Sequence, residues 1–169
     1  MSPDASSSSH DAIVVGRDYA LTCHHQILLS YFPAKVSVEA LRAVHAAHMT
    51  LRTKHPEGTV TLAIVASGIA MPERDVRIVA AQIGREASVG LLGEGLVLQG
   101  HAFWVAMARS TLRAIQIVSH SFHSRSYFSA VPEAAGWALE RSGRSQSEHA
   151  ELVRTLDALV AAVDRAAPR

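Results

Sequence analysis

The sequence predicts an α/β fold: a mixed sheet of four to five strands with helices packed on it. Three observations carry that expectation. Apolar runs of strand length stand at Ile27–Phe32, Val60–Ala66, Leu96–Gln99 and Arg125–Ser129. The segments between them place apolar residues at helical spacing. Two β-leaning stretches precede the alternation, giving the order β-β-α-β-α-β-α-β-α with a further C-terminal helix.

Taken in order, Met1 to Asp11 is Ser-rich and reads as a flexible tail. Ile13–Val15 and Tyr19–Cys23 are β-leaning, with Gly16-Arg17-Asp18 as turn chemistry between them. Gln26–Phe32 is the next strand, ended by Pro33. Ser37 is suited to cap a helix that runs to Lys54, with Glu39 in its first turn where the helix dipole favours an anion. Its apolar face holds Val38, Leu41, Val44, Ala47 and Leu51, and Pro56 and Gly58 stop it. Val60–Ala66 is almost wholly apolar, as in a strand covered on both faces.

A loop, Ser67 to Met71, leads to Pro72, which suits a first helical position and is followed by Glu73 and Asp75. Val76, Val79, Ala80 and Ile83 form that helix's inner stripe. Val89–Gly95 carries three glycines and reads as a loop or a lead-in to the strand Leu96–Gln99. Gly100 ends this strand. The helix from Ala102 to Val118 is expected to bury Trp104, Met107, Ala108, Thr111 and Ile115. After Arg125–Ser129, Pro132 opens a short helix with Trp137 and Leu139 turned inward. The organisation is then a tail over 1–11, an α/β domain over 12–141, and a linker with an amphipathic helix over 142–169. That helix carries Leu152, Leu156, Leu159, Val160 and Val163 on one side. It can pack on its own domain, on a partner, or on a second copy to make a homodimer.

Composition narrows the function classes. In 169 residues, 16 Lys and Arg balance 15 Asp and Glu, a formal net charge of +1, which argues against nucleic-acid binding through a broad basic face. The chain is 49% hydrophobic and 18% charged, the balance of a chain that folds. Cys23 is the sole cysteine, so neither an intrachain disulfide nor a cysteine zinc site is available. The N-terminus lacks the cationic start and apolar run of a secretory signal, and no stretch approaches about 18 uninterrupted apolar residues. No membrane span and a cytoplasmic location are expected.

The order of elements resembles the STAS domain of anti-sigma-factor antagonists and sulfate-transporter tails. Two pieces add to the resemblance: Leu96-Val97-Leu98-Gln99-Gly100-His101-Ala102-Phe103, similar to the family's central strand and following helix, and Tyr127-Phe128-Ser129-Ala130-Val131-Pro132-Glu133-Ala134-Ala135, similar to its last strand and helix start. It covers Tyr19 to Arg141. It implies a regulatory module of bacterial signalling that acts by protein–protein contact, here through the loop from Ser67 to Pro72 and the helix from Glu73 to Ala87. Ser67, Gly68, Met71, Glu73 and Arg74 would form the contact. Phosphoswitch members carry an Asp-Ser-Ser/Thr-Gly stretch at the start of this helix; here Gly68 to Asp75 contains no hydroxyl residue. A diverged module under another mode of control is the reading.

No catalytic set accompanies this order, so no enzyme activity, cofactor or metal is expected. Ten histidines are many for this length. His45 and His48 lie one helical turn apart and can ligate a metal with a third group, but His48 falls in the apolar arc of Leu41, Val44 and Leu51, where a packed histidine is simpler. His120 and His123 flank Phe122 in a Ser-rich loop. His24 and His25 stand at a strand start or hairpin, where a solvated loop is the simpler reading. Cys23 shares a strand face with His25 only if the strand continues unbroken; a buried structural cysteine is the simpler reading. Gly90 to Gly95 lacks the ending of a phosphate-binding loop. Gly100-His101 and Ser67-Gly68 both stand where strands lead into helices, the edge at which open α/β sheets hold ligands; Gly100 and His101 are therefore candidate ligand contacts. A small-molecule or lipid sensor, suggested by Phe103, Trp104 and Phe122, is the alternative to a protein-binding module.

Overall fold

The computed structural model describes residues 12–119 and 124–166; the expected N-terminal tail, and the pair His120 and His123 with Phe122, lie outside them. The sheet has six strands in the order β1-β2-β3-β4-β5-β6: β1 (Val14–Val15), β2 (Ala20–His24), β3 (Ile27–Phe32), β4 (Thr59–Val65), β5 (Leu91–Leu98) and β6 (Arg125–Phe128). β1, β2 and β3 pair antiparallel, and β3 to β6 pair parallel. The helices are α1 (Val38–Lys54), α2 (Arg74–Ala87), α3 (Ala102–Ser119), α4 (Val131–Arg141) and α5 (His149–Ala166), the last preceded by a single turn at Gln146–Glu148. The expected α/β order is present. The strand count is six rather than four to five because the edge strand Val14–Val15 forms; the glycine-rich stretch lengthens β5 without adding a strand.

The parallel strands follow each other without reversal. Right-handed crossovers therefore put α1, α2 and α3 on one face of the sheet. α4 and α5 cover the other. Side chains alternate accordingly: Val60, Leu62 and Ile64 of β4 join α4 and α5, whereas Ala63 and Val65 face α1 to α3.

The two faces are packed differently. On the α4–α5 face, Ala134, Ala135 and Ala138 let α4 lie close to the sheet, and Trp137 is set over Gly93 and Gly95. A Cβ at Gly95 would stand 2.7 Å from the Trp137 ring and 2.9 Å from Leu62. The glycines that read as a loop are thus strand residues kept small by an indole. α5 adds Leu152, Leu156 and Leu159, all fully buried in this core. The terminal helix spends its apolar side on its own sheet.

Local signals hold at several ends. Ser37 accepts a hydrogen bond from the Ala40 amide, capping α1 as expected. Pro72 is not at the first position of α2: Glu73 is the capping residue and the helix begins at Arg74. Met107 is exposed, not buried, because α3 turns Trp104 and Ala108 to the sheet. The strand ends at His24, and His25 turns away with φ of +52°, so Cys23 and His25 do not share a strand face.

Candidate functional site

On the α1–α3 face the sheet carries small or polar side chains at its centre: Ser30 on β3, Thr61 and Ala63 on β4. The helices above are small there too, with Ala80, Gly84 and Ala87 on α2 and Ala108 on α3. Small groups on both sides leave the interior unfilled, and a cavity of about 210 Å³ lies between helices and sheet. Thr61 and Ala63 are half-buried although they sit on a central strand, so this space communicates with solvent. α2 and α3 pack on one another and α2 on α1 more than on any strand.

The cavity is graded along the strands. Towards their C-terminal ends its lining is apolar: Phe32, Val65, Ile69, Met71, Leu98 and Trp104. Towards the N-terminal ends it is polar. Thr61, Glu94 and Arg125 are register partners on three adjacent strands and form a row across the floor. Glu94 accepts hydrogen bonds from the Arg125 guanidinium, which also donates to the Leu112 carbonyl at 2.9 Å. Burial works against the Arg125 charge, but Glu94 and Tyr127 more than offset it and hold the guanidinium protonated. His48 is buried and bonds Thr59 Oγ1 at 2.7 Å.

His45 lines the same cavity from α1. Its Nε2 meets Glu86 of α2 at 3.1 Å, and its Nδ1 is buried without a hydrogen-bond partner among the described residues. A buried imidazole nitrogen without a partner is costly. The His45 residue nonetheless forms part of the cavity wall.

The sequence-predicted residues fall around one end of this cavity. Ser67 and Gly100 are neighbours across the C-terminal ends of β4 and β5: a Cβ at Gly100 would lie 3.6 Å from Ser67 Cβ. That edge is closed. Trp104 Nε1 donates to the Ile69 carbonyl at 3.0 Å, and its ring stands over Gly100. The His101 Nδ1 accepts a hydrogen bond from the Trp104 amide at 3.3 Å. Met71 lines the cavity, while Gly100 and His101 do not. Ser67, Gly68, Glu73 and Arg74 are exposed at the rim. With parallel strands that follow in order, no reversal opens a crevice at the strand ends, and the space lies under the helices instead.

Sequence reasoning missed the floor row and the Ala-Gly roof, because each contributes one small or polar residue from a different element. The weak signal was the run of small residues at helical spacing on α2, Ala80, Gly84 and Ala87. His45 and His48 both line the cavity, on different partners, Glu86 and Thr59. His24 is not in a solvated loop: it is fully buried at the end of β2. No helix among the described residues is long and apolar enough to cross a membrane. No protein-family model matches the chain, and neither does any curated protein or solved structure.

Proposed function

We propose that the chain is a non-enzymatic regulatory module whose cavity binds one small molecule with an apolar body and a single hydrogen-bonding end. The observation that carries this is the cavity of about 210 Å³ beneath α1 to α3, with His45 and the Thr61–Glu94–Arg125 row in its lining. An apolar cavity of about 150 Å³ holds a benzene molecule, so the space suits a ring with one polar substituent, or a short aliphatic alcohol. The apolar end would take the body. His45 and the floor row would take the polar group. The STAS-like element order supports a regulatory use, with ligand occupancy in place of serine phosphorylation.

The test is equilibrium binding of benzyl alcohol, phenol and hexanol to the purified chain by calorimetry and ligand-observed NMR. Saturable one-to-one binding that is lost in Ala108→Phe, which fills the space from α3, supports the reading. Absence of binding by all three, or binding unchanged in Ala108→Phe, overturns it.

A second reading, contact with a protein partner, is favoured by the side of the molecule opposite the cavity floor. α3 exposes Phe103, Met107, Ile117 and Val118, and α2 exposes Ile78, which lines a groove with Val118. Large apolar groups left in water on adjacent helices favour an interaction surface. Arg74 lines the groove that holds Ile78 and Val118, so a ligand that shifts α2 or α3 would alter this surface. Affinity capture that yields the same partner with wild type and with Phe103→Asp plus Ile117→Asp counts against the surface.

A further inference from the structure

On the far side of the sheet from the cavity, the turn joining β2 and β3 meets the start of α5. Three side chains converge there. His24 closes β2, paired in register with Ile27, and its side chain is fully buried. Both of its ring nitrogens are buried without a hydrogen-bond partner among the described residues. His24 Nε2 lies 3.4 Å from Glu148 Oε2, without the alignment of a hydrogen bond. His25 Nε2 lies 3.7 Å from the same oxygen. One ligand atom from each residue falls within 4.8 Å of the others.

We propose that His24, His25 and Glu148 form a binding site for one divalent transition-metal ion of the zinc type. The distances suit it. A tetrahedral zinc ion with bonds of about 2.0–2.1 Å separates its ligand atoms by roughly 3.4 Å. The His24–Glu148 separation already has that value, and His25 Nε2, at 3.7 Å against 3.4 Å, is within 0.3 Å of it from the same Glu148 oxygen. Two imidazoles and one carboxylate are a borderline donor set that favours zinc over calcium or magnesium. Three protein ligands leave the fourth position to water. His25 and Glu148 are partly exposed, which gives the ion an entry path.

The second, independent observation is His24 itself. A fully buried imidazole with two orphaned nitrogens is rare unless something absent completes it. A metal on Nε2 would satisfy one of the two. The neighbourhood agrees in charge. Arg144 fixes Glu148 from four residues away, with Nε to Oε2 at 2.7 Å and Nη2 to Oε1 at 2.9 Å. A carboxylate has about four lone-pair sites, and this fork uses two. Glu151 also acts on both imidazoles, so by formal charge two carboxylates stand against the one guanidinium of Arg144.

The backbone points the same way. His25 takes φ of +52° at the first loop position of a two-residue hairpin, where glycine is the cheap choice. A histidine held there presents its ring edge-on to His24 with centroids 4.8 Å apart. Bound metal would clamp the β2–β3 turn to the first residues of the terminal helix. It would control how firmly α5, a main part of the core, is docked.

The experiment uses the full chain, stripped with EDTA and dialysed, and titrated with zinc chloride by calorimetry alongside thermal unfolding. One ion per chain is expected, with the melting temperature raised by roughly 5–10 °C at about 100-fold excess over Kd. His25→Ala and Glu148→Gln leave the buried His24 in place, and each should weaken binding by about tenfold or more. His45→Ala, on the opposite face, should leave it unchanged. Cobalt titration should give the intense visible bands of a tetrahedral ion in wild type and lose them in His25→Ala. No saturable binding, or zinc binding equal in His25→Ala and wild type, overturns the site. This outcome is independent of the cavity, whose probes bind on the other face.

Discussion

The unequal packing of the two sheet faces makes a prediction of opposite signs for neighbouring residues. Ala63 on β4 faces the cavity, and Gly95 on β5 faces Trp137. Ala63→Ile adds three carbons with a β-branched shape that suits a strand. At about 0.8 kcal/mol per buried methylene, filling part of the 210 Å³ space is worth up to about 2 kcal/mol, where a close-packed site would lose about 1–3 kcal/mol. Gly95→Ala adds one carbon into contacts of 2.7 and 2.9 Å and should cost about 1–3 kcal/mol. For a chain of this length each kcal/mol moves the melting temperature by roughly 2–4 °C. Calorimetry should therefore show Ala63→Ile unchanged or raised by up to about 8 °C, and Gly95→Ala lowered by several degrees. Urea titration should give the same ranking with unchanged slope. A loss of more than about 1 kcal/mol in Ala63→Ile would mean that this face is as full as the other, and the cavity argument would fall.

Three further outcomes are expected. Trp104→Phe removes the bond to the Ile69 carbonyl and should cost about 1–3 kcal/mol; faster amide hydrogen exchange over residues 67–73 would confirm the local opening, and unaltered exchange there would refute it. In EDTA, stability should fall as pH falls through about 6.5. Burial lowers the His24 pKa in the folded chain, so the unfolded chain takes the proton first and acid favours unfolding; equal denaturation midpoints at pH 7.5 and 5.5 would contradict this. A chain ending at Arg141 loses the buried Leu152, Leu156 and Leu159 and should not fold; a dispersed amide NMR spectrum from it would show that α5 is dispensable.

Much of the fold was legible because it is local. The Ser37 cap, the span of α1 to Lys54, the apolar run of β4 and the break at Gly100 each follow from a few adjacent residues. β5 was misread at its start for a physical reason: Gly93 and Gly95 look like loop residues until Trp137, more than 40 positions later, is laid over them. Met107 was assigned inward because the helical stripe on α3 is apolar nearly all round, and periodicity alone does not choose a face. The cavity was illegible. It is the space left by Ser30, Thr61, Ala63, Gly84 and Ala108, five small residues whose juxtaposition only the sheet register creates. The burial of His24 was hidden likewise, because its cover comes from Glu148 and α5 at the other end of the chain.

The central claim is that the space under α1 to α3 takes a ligand. The most direct measurement is a two-dimensional amide NMR titration of the labelled chain with phenol and hexanol. The account predicts saturable shifts at Thr61, Ala63, Ala108 and His45, with the α4–α5 core residues unmoved. Shifts confined to the exposed apolar residues Phe103, Ile117 and Val118, or no saturable shifts at all, would contradict it.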